Sequence, residues 1–197
     1  MPTTKRTVLV TGFGPFGVHK VNASWVVVQH FAKLGLGDDV RLVVREIPVA
    51  YESVRTVIPS LWSEFDPVLV IHVGVSGVAN DLTLEQLAHN NGYVLDDITG
   101  NCPEGNCCVV GAERVISSEI DMQDVCDSVN NTNKITAVTS DDAGRYLCDF
   151  SYYTSLYINR RRCAFIHVPT LDKRYTAEEL AYGLKVAILS MLEQISS

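Results

Sequence analysis

Hydrophobic positions along this chain fall into two alternating rhythms. Residues 8–11 form a short β-branched run that predicts a strand. Over 22–34 the apolar residues Trp25, Val28, Phe31 and Ala32 recur at helical spacing. Asn22 or Ser24 can cap that helix, and Gly35 and Gly37 can end it. Residues 40–49 predict a strand and 51–65 a helix, with Pro59 expected to kink it or end it early. The nearly continuous apolar run 68–73 suits a strand buried on both faces. Residues 82–90 fit a strand better than a helix, and 91–111, rich in Gly, Asn, Asp and Cys, predict a long loop. There follow a helix over 121–131, a strand over 135–139, a helix over 147–161, a strand over 163–168 and a helix over 176–195. Thr176 and Glu179 stand at capping-box spacing at the start of the last one.

This alternation predicts one α/β domain spanning residues 1–197, with a mostly parallel central sheet between helices. Such sheets place ligand sites beyond the C-terminal ends of their strands. Segments 12–17, 74–77 and 140–148, together with His167, are therefore expected to share one edge.

Composition narrows the function classes. Of 197 residues 47% are hydrophobic and 20% charged, and the formal net charge is −7. This is the balance of an ordinary globular protein, and it argues against nucleic acid or an anionic membrane as partner. The basic run at Arg160, Arg161 and Arg162 reads as a solvated helix end. No apolar run is long enough for a membrane span, and the polar N-terminal residues 1–7 contain no signal-like apolar stretch. A reducing, cytoplasmic setting is expected, so the six cysteines predict thiols rather than disulfides. Cys102, Cys107 and Cys108 lack zinc-knuckle spacing, and no metal site is expected. The sequons at Asn22 and Asn130 carry little meaning without secretion.

Segment 11–17 holds Gly-x-Gly-x-x-Gly directly after a strand, the pattern of a dinucleotide-binding turn. Pro15 removes a backbone donor from it, the helix starts too late, and Phe13 and Phe16 would crowd a pyrophosphate. A nucleotide-dependent oxidoreductase is thus a weak reading. Two rings presented to a small apolar or amide-bearing ligand fit better, and two rings simply packed in the core fit the composition equally well.

Cys148 is expected in the first turn of a helix, where the dipole and unpaired amides favour negative charge. The same amides can donate to a developing oxyanion. His167 ends an apolar strand at the edge where the site is expected, and so can serve as base. Taken alone, it reads as well as a structural histidine. His72, inside a buried-looking strand, reads as structural. A third group must orient the imidazole. Glu85, an acid out of place between Leu84 and Leu87, is the first choice, with Asp141 and Asp142 as rivals that spacing cannot dismiss.

These segments resemble the pyroglutamyl-peptidase I family of cysteine peptidases, its animal members above all. The resemblance spans nearly the whole chain. It rests on 10–17 with Asn22, on 84–90, on 142–148 and on 165–169. It implies a three-layer α/β/α sandwich, cytoplasmic action, no cofactor, and a triad of Cys148, His167 and Glu85. It further implies that Phe13 and Phe16 hold the lactam ring, that Asn22 helps shape the pocket, and that Tyr146 and Leu147 form a bulky apolar pair before the cysteine. The implied substrates are small peptides with an N-terminal pyroglutamyl group. Pyroglutamate is a flat neutral lactam, so apolar walls with a few amide partners suit it. Microbial relatives carry glutamine where Val75 stands, and an oxyanion-stabilising arginine where Thr99 falls. Arg145 and Arg114 are the cations available to replace it. A catalytically weak relative that binds pyroglutamyl peptides is the alternative. Oligomeric state, monomer or homo-oligomer, stays open.

Overall fold

The computed structural model describes residues 5–17, 20–171 and 173–196. Residues 1–4 of the polar N-terminal run lie outside the described residues. The elements in chain order are β1 (Arg6–Phe13), α1 (Ala23–Leu34), β2 (Val40–Ile47), α2 (Tyr51–Phe65), β3 (Leu69–Ser76), β4 (Leu82–Glu85), β5 (Leu87–His89), β6 (Val115–Ser117), α3 (Met122–Asn130), β7 (Ala137–Ser140), α4 (Leu147–Ile158), β8 (Cys163–Pro169) and α5 (Ala177–Ser196).

Local chemistry sets the helix ends. The Asn22 side chain accepts from the Ser24 amide to cap α1, and the Gly35 amide closes that helix on the Phe31 carbonyl. Asp121 caps α3 through the amides of Gln123 and Asp124. Thr176 and Glu179 exchange the two hydrogen bonds of a capping box. Pro59 does not end α2, which runs on to Phe65. Arg55, whose carbonyl loses its amide donor at Pro59, is exposed, so water can solvate that group. The helix begun at Leu147 stops at Ile158, short of the basic run.

The main sheet has strand order β2-β1-β3-β8-β4-β7. The first four strands are mutually parallel. β4 pairs antiparallel with β8 and parallel with β7, so these last two run the other way. The direction expected for β7 is therefore corrected: it runs against β8, yet Ser140 and the loop after it still border the cavity beside Cys148 and His167. Residues 82–90 divide between two sheets, because β5 leaves the main sheet to pair with β6, a strand the hydrophobic pattern did not announce.

Alternation within the strands sorts side chains onto two faces. Val8, Val10, Leu69, Ile71, Leu84 and Ile166 pack against α1, α3 and α5. Leu9, Val70, Cys163 and Phe165 pack against α2 and α4. The fold is a three-layer α/β/α sandwich. Fully burying a side chain such as Ile71 or Phe165 stabilises it by roughly 1.5–3 kcal/mol each.

Candidate active site

On the α2/α4 face, three neighbouring strands align the polar groups. Gly74 of β3 is the register partner of His167 in β8. On the other flank Thr83 of β4 pairs with His167, and Glu85 lies opposite Phe165. Leu82 and Leu84 face the other layer, so Glu85 turns towards this one and becomes a diagonal neighbour of His167, within reach of a long side chain. The Nδ1 of His167 donates to Oε1 of Glu85 at 2.8 Å. Glu85 is only 1% exposed, so an acid that looked misplaced in the sequence has a partner. Asp141 and Asp142 are exposed, and Asp142 accepts instead from Arg145 at 2.7 Å.

Cys148 occupies the second position of α4, whose N-cap Tyr146 makes no side-chain cap. Its sulfur lies over Gly74, where an added Cβ would sit only 2.7 Å away. With Nδ1 committed to Glu85, the remaining nitrogen of His167 is left for Cys148, whose sulfur acts on the ring's titration. Burial pushes the titration of His167 down, but the Cys148 sulfur and the Glu85 carboxylate outweigh it and raise the imidazole to about 10. The sulfur and the carboxylate on either side thus favour the protonated form of the ring. His72, on the same face, is different. It is hydrogen-bonded to Thr11 at 2.6 Å and Ser155 at 2.7 Å, and burial lowers it to about 3, as suits a neutral structural group.

Cys148, His167 and Glu85, but not His72, border a cavity of about 510 Å³. Phe13, Phe16, Asn22, Tyr146 and Leu147, all predicted for the pocket, line it with Cys148, His167 and Glu85. Asn22 joins two tasks: it caps α1 through Oδ1 and donates through Nδ2 to the Gly14 carbonyl. Val75 and Ala143 also line the cavity, from the two segments expected at this edge; Val78 and Thr83 line it too, and no motif announced them. None of the described lining residues is Lys or Arg. Thr99 is not among them; its amide and hydroxyl bond Oδ1 of Asp97 within a tight turn. Arg145 and Arg114 do not line the cavity either, and Arg145 is engaged by Asp142 and Asp149. After β1 the chain does not enter a helix directly. α1 starts only at Ala23, so the glycine loop lacks the helix N-terminus that a pyrophosphate would need.

The remaining motifs have local explanations. Arg160, Arg161 and Arg162 pair with Glu113, Glu119 and Asp66. Asn130 is bound to both the amide and the carbonyl of Ala137. Among the described residues, no helix is long and apolar enough to cross a membrane.

A family model described as Pyroglutamyl peptidase matches residues 6–193. The chain is 53% identical over 193 residues to Pyroglutamyl-peptidase 1 of Rattus norvegicus, covering 98% of this chain and 92% of that protein. It is 52% identical over 194 residues to Pyroglutamyl-peptidase 1 of Homo sapiens, covering 98% and 93%. Among solved structures, a mutant pyrrolidone carboxyl peptidase from Pyrococcus furiosus superimposes with TM-score 0.84 at 26% identity, covering 95% of this chain and 99% of that one.

Proposed function

Because this chain belongs to the pyroglutamyl peptidase family, we propose that it hydrolyses the N-terminal pyroglutamyl group from small peptides, with Cys148 as nucleophile, His167 as acid and base, and Glu85 as the group that orients His167. The observation that carries this reading is the juxtaposition of the Cys148 sulfur, His167 and a buried Glu85 that holds its Nδ1, at one side of an aromatic-walled cavity.

In the proposed cycle the Cys148 thiolate attacks the pyroglutamyl carbonyl carbon, and its oxygen takes up the negative charge. Backbone amides in the first turn of α4 are the donors proposed for that charge, which a helix N-terminus also favours. His167 then gives its proton to the leaving amine as the carbon–nitrogen bond breaks, leaving a thioester. Water, deprotonated by His167, cleaves the thioester to pyroglutamic acid and restores the thiolate–imidazolium pair. Phe13 and Phe16 would flank the lactam ring, with Asn22, Tyr146 and Leu147 completing the pocket. The ring amide needs partners inside it, so a proline-like ring lacking the carbonyl should be rejected.

The test is release of a fluorophore from a pyroglutamyl amide. Steady turnover by the wild type, lost in both Cys148→Ala and Cys148→Ser, supports the reading. Undiminished turnover in those variants overturns the role of Cys148. The absence of a lining Lys or Arg favours one second reading, a weak relative that binds pyroglutamyl peptides; calorimetric binding without hydrolysis would select it. We further propose that residues 1–197 act as one catalytic domain in the cytoplasm, a setting that keeps all six free thiols reduced. Cell fractionation with activity confined to the membrane or secreted fraction would remove that location.

A further inference from the structure

Asp149 follows Cys148 in α4, yet its side chain leaves the helix about 100° away from the cysteine. It points away from the cavity and is 0% exposed. Around it the structure builds a polar nest inside the α2/α4 layer. Both carboxylate oxygens accept from the His89 amide, at 3.2 and 3.3 Å. The Tyr93 hydroxyl, with one proton to share, lies against both the His89 carbonyl and Oδ2, the latter at 2.9 Å. Arg145 reaches Oδ2 at 3.5 Å while holding Asp142 at 2.7 Å. Gly92, at φ +103°, leaves room for this guanidinium arm: an added Cβ would lie 3.4 Å from its Cδ.

Arg145 therefore bridges a buried carboxylate behind the site and an exposed one in front of it. The segment it belongs to is a cavity wall, since Asp142, Ala143, Gly144 and Tyr146 all line the space beside Cys148. Nothing in the proposed cycle uses Asp149, and burying a carboxylate is costly even with these partners.

We propose that Asp149 is a positioning residue: its negative charge holds Arg145, and through Arg145 the 141–146 wall, in the arrangement that grips the substrate ring. This rests on the reading of the cavity as the pyroglutamyl pocket. The charge on Asp149 then governs binding more than chemistry, and it can be withdrawn. Burial pushes the carboxyl up to about 7, against the lowering effect of Tyr93, the His89 amide and Arg145. The other groups facing it do not titrate with it. His89, 3.8 Å from Oδ1, is lowered by burial and by Arg145, against a raising effect of Asp142. Tyr93 and Tyr152 are raised far above their ordinary value, and Cys108 to about 12. Asp142 stays ionised, lowered by the Gly144 amide and Arg145 despite its partial burial. Protonation of Asp149 below about pH 7 should therefore release Arg145 and weaken substrate binding.

The test compares wild type, Asp149→Asn and Arg145→Gln on a pyroglutamyl amide between pH 6 and 8.5. At pH 8.5 each variant should raise KM roughly tenfold, the scale of a lost hydrogen bond to a charged group, with kcat within about threefold. Wild-type KM should climb towards the variants' value as pH falls through 7, while theirs stays flat. The double variant should be no worse than either single one. Arg145 is part-exposed, so Arg145→Gln carries the test if Asp149→Asn fails to fold. Hydrogen exchange of amides 141–146 should be faster in both variants whether or not any substrate turns over. An inactive wild type with that exchange difference intact would condemn the functional reading and leave the positioning role standing. Unchanged KM and exchange in Arg145→Gln, a fall in kcat alone, or a wild-type KM flat with pH would overturn the role itself.

Discussion

Gly74 lies directly beneath the Cys148 sulfur, and a Cβ added there would come within 2.7 Å of Sγ and 2.8 Å of Cζ of Phe165. The Phe165 ring in turn packs 4.8 Å from the His167 ring, centroid to centroid. A single methyl group at Gly74 would thus press on the proposed nucleophile and, through Phe165, on its base. Gly74→Ala should lower kcat/KM by about 10²-fold, the cost of a displacement near 1 Å at reacting atoms. Overpacking should cost roughly 1–3 kcal/mol of stability. Kinetics and a melting curve on the same sample separate the two effects. Wild-type kinetics in this variant would show that the sulfur has room the structure denies it.

Glu85→Gln keeps the shape of the side chain and removes its charge. Glu85 Oε2 is buried with no hydrogen-bond partner among the described residues, so an amide NH2 placed there gains no acceptor. A loss in kcat of about 10²–10⁴-fold is expected, as when an orienting acid is neutralised. The pH profile should change as well. His167 is raised to about 10 partly by Glu85, and its proton is needed for the leaving amine, so wild-type activity should be lost above about pH 10. Without the carboxylate that alkaline limb should move to lower pH. A limb that stays in place would assign it to another group.

The cysteines should respond very differently to iodoacetamide. Cys107, Cys108, Cys126 and Cys163 are buried, and burial pushes the Cys108 and Cys163 thiols well up. Cys102 is exposed, and Cys148 opens onto the cavity. Inactivation should follow alkylation of Cys148 peptide by peptide in mass spectra, and Cys102→Ser should keep wild-type activity. Inactivation that tracks modification of Cys102 would contradict this.

His72 predicts an acid-sensitive fold. Its native value, about 3, lies below the ordinary 6.5 of the unfolded chain. Between those limits the unfolded state binds the extra proton, so stability is lost as pH falls from about 6.5 towards 3. His72→Gln should be roughly 1–3 kcal/mol less stable at pH 8 through lost hydrogen bonds to Thr11 and Ser155. It should also show a shallower decline over the acid window. Guanidinium midpoints measured for both proteins at several pH values decide this; parallel declines would mean that His72 is not the group responsible.

Most elements were legible locally. Asn22, Asp121 and the Thr176–Glu179 pair mark helix starts through bonds spanning two or three residues, so no distant contact is needed to form them. The nearly continuous apolar run at 68–73 read as a doubly covered strand, and the structure buries all of it except Val68, which is half-buried. Pro59 left open whether α2 ends there, because only exposure decides whether water can replace a missing helix bond, and exposure follows from packing. β6 escaped notice because three residues carry too little pattern, and its partner β5 lies in an equally short run.

By itself the sequence determined that a thiol starts a helix and an imidazole ends a buried strand, since both follow from short-range periodicity and end signals. Only the tertiary structure decided that β4 runs against β8, which turns Glu85 towards His167 across 82 residues of chain. It alone decided that Gly74 clears space for the sulfur and that Asp149 meets Tyr93, His89 and Arg145 behind it. Strand direction and register depend on which distant segments pair, and a one-dimensional pattern of polar and apolar residues does not encode that choice.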